Sequence, residues 1–319
     1  MGTFNKTARA VCIALVASTV CGGASAAERK LTLLLSSPDL ALPFSVHIVS
    51  KMKAEAERLG GIEVVVSDGQ RSSPKQSADI EAAVAKGVDG IVISPNDSAA
   101  LAPAIQEAIG AGIPIVTVDR RIDGVDSILA HVGADNIKGG EVQGNLILKL
   151  FPNGARVMNL QGQPGTSAAI DRNKGLHNAL DGKPAYKFVF EDTASFDRAK
   201  ALTMTESALS GAETPPDVIA AANDDMALGA IEALRGRELI GKVAVVGFDA
   251  LPEALGQVRA GTLTGTIEQS PGAQGSKAVD LLVDFLRTGT KPAQAVTLLT
   301  PLAITRDTLS DAERLGELR

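Results

Sequence analysis

Polar side chains stand directly after apolar runs at four places in this sequence. At each place a short, largely β-branched stretch is followed by groups that donate or accept hydrogen bonds: Asp119 and Arg120 after 114–118, Asn223 after 218–222, Asp249 after 243–248, and Gln269 after 263–268. A single Asp-Arg pair would be explained by a surface ion pair. Four such places favour a cleft that binds a polar small molecule.

Parallel strands would bring these side chains together. A continuous apolar run is typical of a strand that is buried on both faces, as in a parallel sheet with helices on each side. Ligands of such sheets bind in the crevice at the carboxyl ends of the strands. Phe44 lies a few residues beyond the apolar run 31–35 and would add an aromatic ring at that edge.

Apolar runs alternate with amphipathic stretches along the whole chain. Strands are predicted at 31–35, 62–66, 90–93, 115–118, 128–132, 156–160, 186–190, 218–222, 243–246 and 263–267. Helices are predicted at 44–59, 74–86, 99–111, 138–150, 167–180, 197–209, 225–235 and 272–287. This alternation predicts an α/β fold with doubly wound parallel sheets.

The chain is long enough for two lobes, and three places could connect them. The strand-helix rhythm restarts after Gly133-Ala134-Asp135-Asn136, and prolines interrupt it at 269–271 and 299–301. We interpret these places as a three-segment hinge between two doubly wound parallel-sheet lobes. The N-terminal lobe would comprise 27–134 and 270–300, and the C-terminal lobe 135–269 and 301–319. The charged tail 307–319 is expected to be a peripheral helix or a frayed end.

The first 26 residues have the features of a secretory signal peptide. Lys6 and Arg9 precede an apolar core at 10–20, and Ala24-Ser25-Ala26 resembles a cleavage site. Cleavage after Ala26 or Ala27 would place the protein in the periplasm. A lipoprotein signal at Cys21 is the alternative, but Val20 precedes that cysteine where a small residue is preferred.

Composition argues against several classes of function. Without residues 1–26 the chain has no cysteine, and the loss of Lys6 and Arg9 changes its net charge from −6 to −8. An acidic chain without a basic cluster does not resemble a nucleic-acid binder, and the three separated histidines do not have metal-ligand spacing. The segment 236–242 nearly matches a phosphate-binding loop but lacks its final Ser or Thr. We therefore expect no enzyme, no metal, no cofactor and no catalytic residue.

Six motifs resemble the periplasmic solute-binding proteins of sugar ABC transporters, specifically the ribose-binding cluster. The motifs are Thr117-Val118-Asp119-Arg120, residues 161–169, Ser195-Phe196-Asp197-Arg198, residues 223–230, Val246-Gly247-Phe248-Asp249 and Thr266-Ile267-Glu268-Gln269. The resemblance spans about 31–305 and implies a type I periplasmic binding fold with two lobes. It also implies a monomer that binds a small sugar or polyol and delivers it to an inner-membrane ABC permease.

The resemblance assigns ligand-binding roles to nine positions. They are Phe44, Ser45, Asp119, Arg120, Arg172, Phe196, Asn223, Asp249 and Gln269. Sugar hydroxyls both donate and accept hydrogen bonds, so carboxylates, guanidinium groups and amides suit them, while aromatic rings cover C–H faces. Simpler explanations exist for two of the positions: Phe196 could be a core residue, and Arg172 could pair with its neighbour Asp171.

Two positions depart from the ribose-binding pattern. Leu42 stands where an Asn usually precedes Pro-Phe, and Ser45 stands where a second Phe usually follows. The site is therefore expected to prefer a pentitol, a tetritol, a cyclitol or another pentose-like ligand over ribose. A sensory protein that presents its closed form to a chemoreceptor or sensor kinase remains an alternative. A repressor with the same fold would need a DNA-binding segment where the signal peptide lies.

Overall fold

The computed structural model describes residues 1–3 and 29–318. Its strands are β1 Leu31–Ser37, β2 Ile62–Asp68, β3 Gly90–Ile93, β4 Ile115–Val118, β5 Ala130–Ala134, β6 Ala155–Gln161, β7 Tyr186–Thr193, β8 Val218–Ala221, β9 Ala244–Val246, β10 Thr266–Glu268, β11 Val296–Leu299 and β12 Leu302–Ile304. Its α-helices are α1 Pro43–Leu59, α2 Ser73–Ala85, α3 Ala102–Gly110, α4 Asn136–Leu150, α5 Ser167–Leu180, α6 Arg198–Gly211, α7 Asp224–Gly236, α8 Pro252–Ala260 and α9 Pro271–Thr288.

Two parallel sheets form the centres of two lobes. The larger sheet has the strand order β11-β5-β4-β3-β1-β2, and the smaller has the order β7-β6-β8-β9. Every neighbouring pair within these two sheets is parallel. Strands β10 and β12 form a separate antiparallel pair. The predicted α/β fold with two doubly wound lobes is confirmed, with this antiparallel pair as an addition.

The central strands of the larger sheet are buried on both faces, which explains their largely apolar runs. In β1, Leu33 and Leu35 pack in one core with residues of α1 and α9. The intervening residue Leu34 packs in the opposite core with residues of α2 and α3. Successive side chains of a strand point to opposite faces, so a strand covered by helices on both sides is apolar at every position.

We name the larger and the smaller lobe after the sheet that each contains. In the smaller lobe, α4 and α5 cover one face of the sheet, and α6 and α7 cover the other. Helices α4 and α5 approach closely through Gly140 and Gly175. A Cβ atom on Gly140 would collide with the Arg172 carbonyl oxygen, and one on Gly175 would collide with the Ile137 carbonyl oxygen. These glycines therefore allow the two helices to pack closely, and the backbone of Arg172 lies at that contact.

The structure corrects several predicted elements. Helix α8 and strands β11 and β12 were not predicted, and the helix predicted at 99–111 begins only at Ala102. There the Asp97 carboxylate accepts hydrogen bonds from the amides of Ala99 and Ala100, which holds a turn before the helix. The strand predicted at 263–267 comprises Thr266–Glu268 instead.

The predicted peripheral helix or frayed end at 307–319 is also wrong over its described part. The tail forms two short 3-10 helices, Leu309–Asp311 and Leu315–Glu317. Ala312 is buried, and Leu309, Leu315 and Leu318 pack with it against the core that includes Leu255 of α8. Apolar residues on an otherwise charged tail thus attach it to the smaller lobe.

The predicted signal peptide falls almost entirely on residues 4–28, outside the described residues. Within the ranges that the structure describes, no helix has the length and apolar character needed to cross a bilayer. The same ranges contain no group of three or more His, Cys, Asp or Glu residues that could hold a metal ion.

Candidate functional site

A cavity lies between the two lobes, where the carboxyl ends of β4, β8 and β9 meet the first turns of α1 and α5. Its lining comprises Leu42, Phe44, Ser45, Asp119, Arg120, Ala168, Arg172, Phe196, Asn223, Asp225, Asp249 and Gln269. All nine positions proposed from the sequence are therefore brought together here. Leu42, Ala168 and Asp225 complete the lining.

Three lining residues have left-handed backbone conformations. The φ angles are 63° at Asp119, 56° at Phe196 and 111° at Asp249. This region disfavours residues that have a Cβ atom, and such strain is concentrated at ligand sites in proteins. At Asp119 the backbone amide still donates to the Val132 carbonyl at 2.9 Å, so the turn begins directly at the end of the strand ladder.

The larger lobe contributes a carboxylate and a guanidinium group. Ser94 Oγ donates to Asp119 Oδ2 at 3.1 Å, and Arg120 Nε lies 3.7 Å from the same oxygen. Arg120 Nη1 donates to the Pro95 carbonyl at 3.4 Å. Burial lowers the pKa of Arg120, while the Asp119 carboxylate opposes this effect. The guanidinium carbon lies 5.7 Å from the centre of the Phe196 ring, within cation–π range.

Arg172 is the most extensively connected side chain of the smaller lobe's part of the site. Its Nε donates to Asn136 Oδ1 at 2.8 Å, and its Nη1 donates to the Ala222 carbonyl at 2.7 Å and to Asp249 Oδ1 at 3.3 Å. The guanidinium carbon lies 3.7 Å from the centre of the Phe248 ring. Arg172 is paired with Asp249, so the simpler pairing with Asp171 is wrong.

Asp249 is held in the cavity by a network behind it. Gln269 Nε2 donates to Asp249 Oδ1 at 2.6 Å, and burial raises the pKa of Asp249 to about 7. The buried Asp224 carboxylate accepts from the amide of Leu251 at 2.8 Å and from Thr266 Oγ1 at 2.7 Å. Asp224 therefore anchors the strained turn that carries Asp249, and burial raises its own pKa.

Two amide groups retain unused hydrogen-bonding capacity. Gln269 is almost fully buried, and its Oε1 atom has no hydrogen-bond partner among the described residues. Asn223 caps α7, because its Oδ1 accepts from the amide of Met226 at 2.9 Å. Its side-chain NH2 group has no hydrogen-bond partner within the part of the chain that the structure describes and can donate to a ligand. Buried polar groups cost free energy unless they are paired, so these atoms indicate a polar ligand.

Sequence reasoning missed Asp225 and Ala168, although local signals pointed to both. Asp225 lies in the first turn of α7, two residues after Asn223, and its Oδ1 accepts from Arg198 Nη2 at 3.2 Å. Burial raises the pKa of Asp225, and Arg198 opposes this effect. Ala168 lies four residues before Arg172 on α5, which places both on one helix face.

The apolar part of the lining comes from both lobes. Phe44 lies in the first turn of α1, after Pro43, and packs against the main cores of both lobes. Phe196 is buried and belongs to the core of the smaller lobe as well as to the cavity lining. The interpretation of Phe196 as a core residue is thus compatible with its place in the cavity.

Direct contacts between the lobes flank the cavity. On one side Arg71 is held by Asp39, with Nε 2.6 Å from Oδ2, and its Nη1 donates to the Ser195 carbonyl at 3.3 Å. On the other side Arg121 contacts Ser167 and Asp171 of α5. The lobes therefore lie closed over the cavity, which explains why its charged residues are inaccessible to solvent.

Comparison with known proteins identifies a family. The sequence profile described as "Periplasmic binding protein domain" matches residues 34–291. The ribose import binding protein of Bacillus subtilis is 36% identical over 263 residues, which cover 81% of this chain and 83% of that protein.

Solved structures agree with this family. A Caulobacter myo-inositol binding protein bound to myo-inositol has 42% sequence identity and a TM-score of 0.86, covering 91% of this chain and 98% of the other. An ABC transporter solute-binding protein from Bacillus halodurans with bound myo-inositol has 29% identity and a TM-score of 0.84, covering 89% and 97%. The similarity extends over both lobes.

Proposed function

This chain belongs to the family of periplasmic binding proteins, and on that basis we propose that it captures a small sugar or polyol and delivers it to an inner-membrane ABC permease. The supporting observation is the composition of the cavity. Its lining combines three carboxylates, two guanidinium groups and two amides with two aromatic rings. A hydroxyl both donates and accepts, so a polyhydroxylated ligand can satisfy all of these groups.

Lobe closure would be the signal to the permease. Asp119 and Arg120 extend from the larger lobe, whereas Arg172 and Asp249 extend from the smaller lobe. A ligand that bonds to both sets stabilises only the closed arrangement and shifts the population of conformations toward it. Binding requires no bond to be broken, and the proposed role is transport without catalysis.

The proposal also includes the residue boundaries of the two lobes and the export of the protein. We assign 27–134 and 270–300 to the lobe of the six-stranded sheet, and 135–269 and 301–319 to the lobe of the four-stranded sheet. The pairing of β11 with β5 and of β12 with β10 supports crossings near 134, 269 and 300. Membership in a periplasmic family supports export, with cleavage after Ala26 or Ala27.

Among possible ligands we favour a cyclitol, with myo-inositol as the first to test. Two similar structures contain myo-inositol. Leu42 and Ser45 also favour a ligand other than ribose. Both residues line the cavity, and neither supplies the amide or the ring of the ribose-binding pattern. myo-Inositol bears a hydroxyl on every ring carbon, which suits a lining rich in charged groups and amides.

We expect the wild-type protein to bind myo-inositol more tightly than D-ribose, as measured by titration calorimetry. The double substitution Leu42→Asn with Ser45→Phe should move the ratio of the two dissociation constants toward ribose by at least tenfold, about 1.4 kcal/mol. The control is Val46→Ala, since Val46 is exposed and lies next to Ser45 without lining the cavity. Tight ribose binding by the wild type would refute the proposed preference.

A second prediction concerns Gly162, which packs against the ring of Phe196. A Cβ atom on Gly162 would collide with the Phe196 ring, so Gly162→Ala should displace the ring and weaken myo-inositol binding about tenfold. Gly236→Ala is the matched control, because its added Cβ would meet no atom within 4 Å. Titration calorimetry with myo-inositol measures the affinity of both variants. Unchanged affinity in Gly162→Ala would show that the position of the Phe196 ring does not affect binding.

A further inference from the structure

Arg121 leaves the larger lobe directly after the cavity residue Arg120 and reaches the smaller lobe. Its guanidinium group forms a two-pronged ion pair with Asp171 of α5, in which Nη2 donates to Oδ1 at 3.2 Å and Nη1 contacts Oδ2. Its backbone amide donates to Ser167 Oγ at 3.0 Å. Neither Arg121 nor Asp171 lines the cavity.

We propose that Arg121 and Asp171 form an interlobe clasp, which stabilises the closed protein and so strengthens ligand binding without touching the ligand. This inference rests on the proposed function, because it assumes that closure accompanies binding. A planar guanidinium that meets a carboxylate through two N–H groups has a defined geometry, which can form only when the lobes are correctly aligned.

The position of the clasp in the chain couples it to the cavity. Arg120 lines the cavity and the next residue, Arg121, forms one half of the clasp. On the other lobe Arg172 lines the cavity and the preceding residue, Asp171, forms the other half. Each half is thus one peptide unit away from a group that faces the ligand. A ligand that draws Arg120 and Arg172 together also brings the clasp together.

Neighbouring backbone contacts hold the larger-lobe half in place. Ser98 Oγ donates to the Arg121 carbonyl at 3.1 Å, and the Ser98 amide donates to the Gly165 carbonyl at 2.9 Å. Ser98 therefore joins the turn of Arg121 to the loop before α5. The bond from Ser98 to Gly165 crosses between the lobes without any contribution from a ligand, whereas the bond to Arg121 lies within the larger lobe.

The expected contribution of the clasp is modest. The side chain of Arg121 is 40% exposed and that of Asp171 is 12% exposed, so solvent screens part of their attraction. The apparent dissociation constant of a binding protein is its intrinsic value divided by the fraction of molecules that can bind productively. Loss of the clasp lowers the closed fraction, and we expect affinity to fall about three- to tenfold through faster dissociation.

The test compares Asp171→Asn, Arg121→Gln and the double variant with the wild type. With myo-inositol as the probe, stopped-flow kinetics should show faster dissociation in both single variants and little further change in the double variant. Glu55→Gln is the matched control, because Glu55 pairs with Arg58 on the same helix within one lobe. It should leave dissociation unchanged.

A second measurement is independent of the ligand. Residues from 27 onward contain no cysteine, so spin labels can be attached after Lys53→Cys on α1 and Ser207→Cys on α6. In the ligand-free protein, the short component of the distance distribution between the two labels comes from closed molecules. This component should disappear in Asp171→Asn and persist in Glu55→Gln. If Asp171→Asn changed neither dissociation nor this distribution, the clasp would be refuted. Absence of myo-inositol binding in the wild type would instead count against the proposed ligand, and the label distances would still decide on the clasp.

Discussion

Replacing Arg172 with alanine should weaken myo-inositol binding at least a hundredfold, about 2.8 kcal/mol. The physical reason is that Arg172 is 4% exposed and lies opposite the Asp249 carboxylate, which is equally buried. Truncating one partner of a buried, hydrogen-bonded charge pair leaves the other charge unpaired in a poorly solvated place. The change should appear in calorimetric titration as a loss of affinity.

The same substitution should also destabilise the ligand-free protein. Asn136 Oδ1 and the Ala222 carbonyl lose a donor, and the Phe248 ring loses the cation stacked on it. Binding must therefore be measured at a temperature at which circular dichroism shows the variant to be folded. Arg172→Lys keeps the charge but not the planar fork, so an intermediate affinity is expected.

Arg156→Ala provides the matched control for Arg172→Ala. Arg156 lies in the same lobe, its Nη1 donates only to the Pro215 carbonyl at 3.1 Å among the described contacts, and it does not line the cavity. Its loss should leave binding intact. Unchanged affinity in a folded Arg172→Ala protein would show that the ligand binds elsewhere.

Asp249→Asn should have opposite effects on binding and on stability. Affinity should fall at least tenfold, because a carboxylate that can accept from two hydroxyls is replaced by a group with a single acceptor oxygen. Relative to the wild type, the ligand-free variant should gain stability as the pH rises toward neutral. Asp249 of the wild type is buried, and desolvation raises the pKa of this carboxyl from 3.8 to about 7.

The sign of the pH dependence follows from proton linkage. Between pH 3.8 and about 7 the folded protein holds a proton on Asp249 that the unfolded chain has released. The free energy of unfolding of the wild type therefore decreases as pH rises through this window and is constant above it. Asparagine does not titrate, so the stability gain of the variant should grow from about pH 4 to about pH 7. The gain is a few kcal/mol at most, with a ceiling of about 4 kcal/mol at about 1.36 kcal/mol per pKa unit.

Urea unfolding of the ligand-free protein at several pH values provides the measurement. The exposed residue Asp307 supplies a control, and Asp307→Asn should show no such pH-dependent gain. A variant Asp249→Asn that is less stable than the wild type at pH 8 would show that the ionised carboxylate stabilises the fold through Arg172, contrary to this expectation.

The sequence by itself determined the layers of the fold and most of the cavity. The run 115–118 is apolar except for Thr117 and β-branched throughout, which is typical of a strand covered on both faces, and the polar residues after it then fall at the ligand-binding edge. Asp119, Asn223 and Asp249 were found in this way. The departures at Leu42 and Ser45 were recognised differently, by comparison with the ribose-binding pattern that the sequence resembles.

Only the tertiary structure decided which partners these side chains have. Arg172 could have paired with Asp171, its neighbour in sequence, but it pairs with Asp249, while Asp171 pairs with Arg121. Strand β11 was not predicted, because its partner β5 lies far away in the chain and its own residues alternate between exposed and half-buried. Local periodicity reports how a segment is buried. Ion pairs and strand pairs depend on distances between remote segments, which are set only when the two lobes have folded and closed.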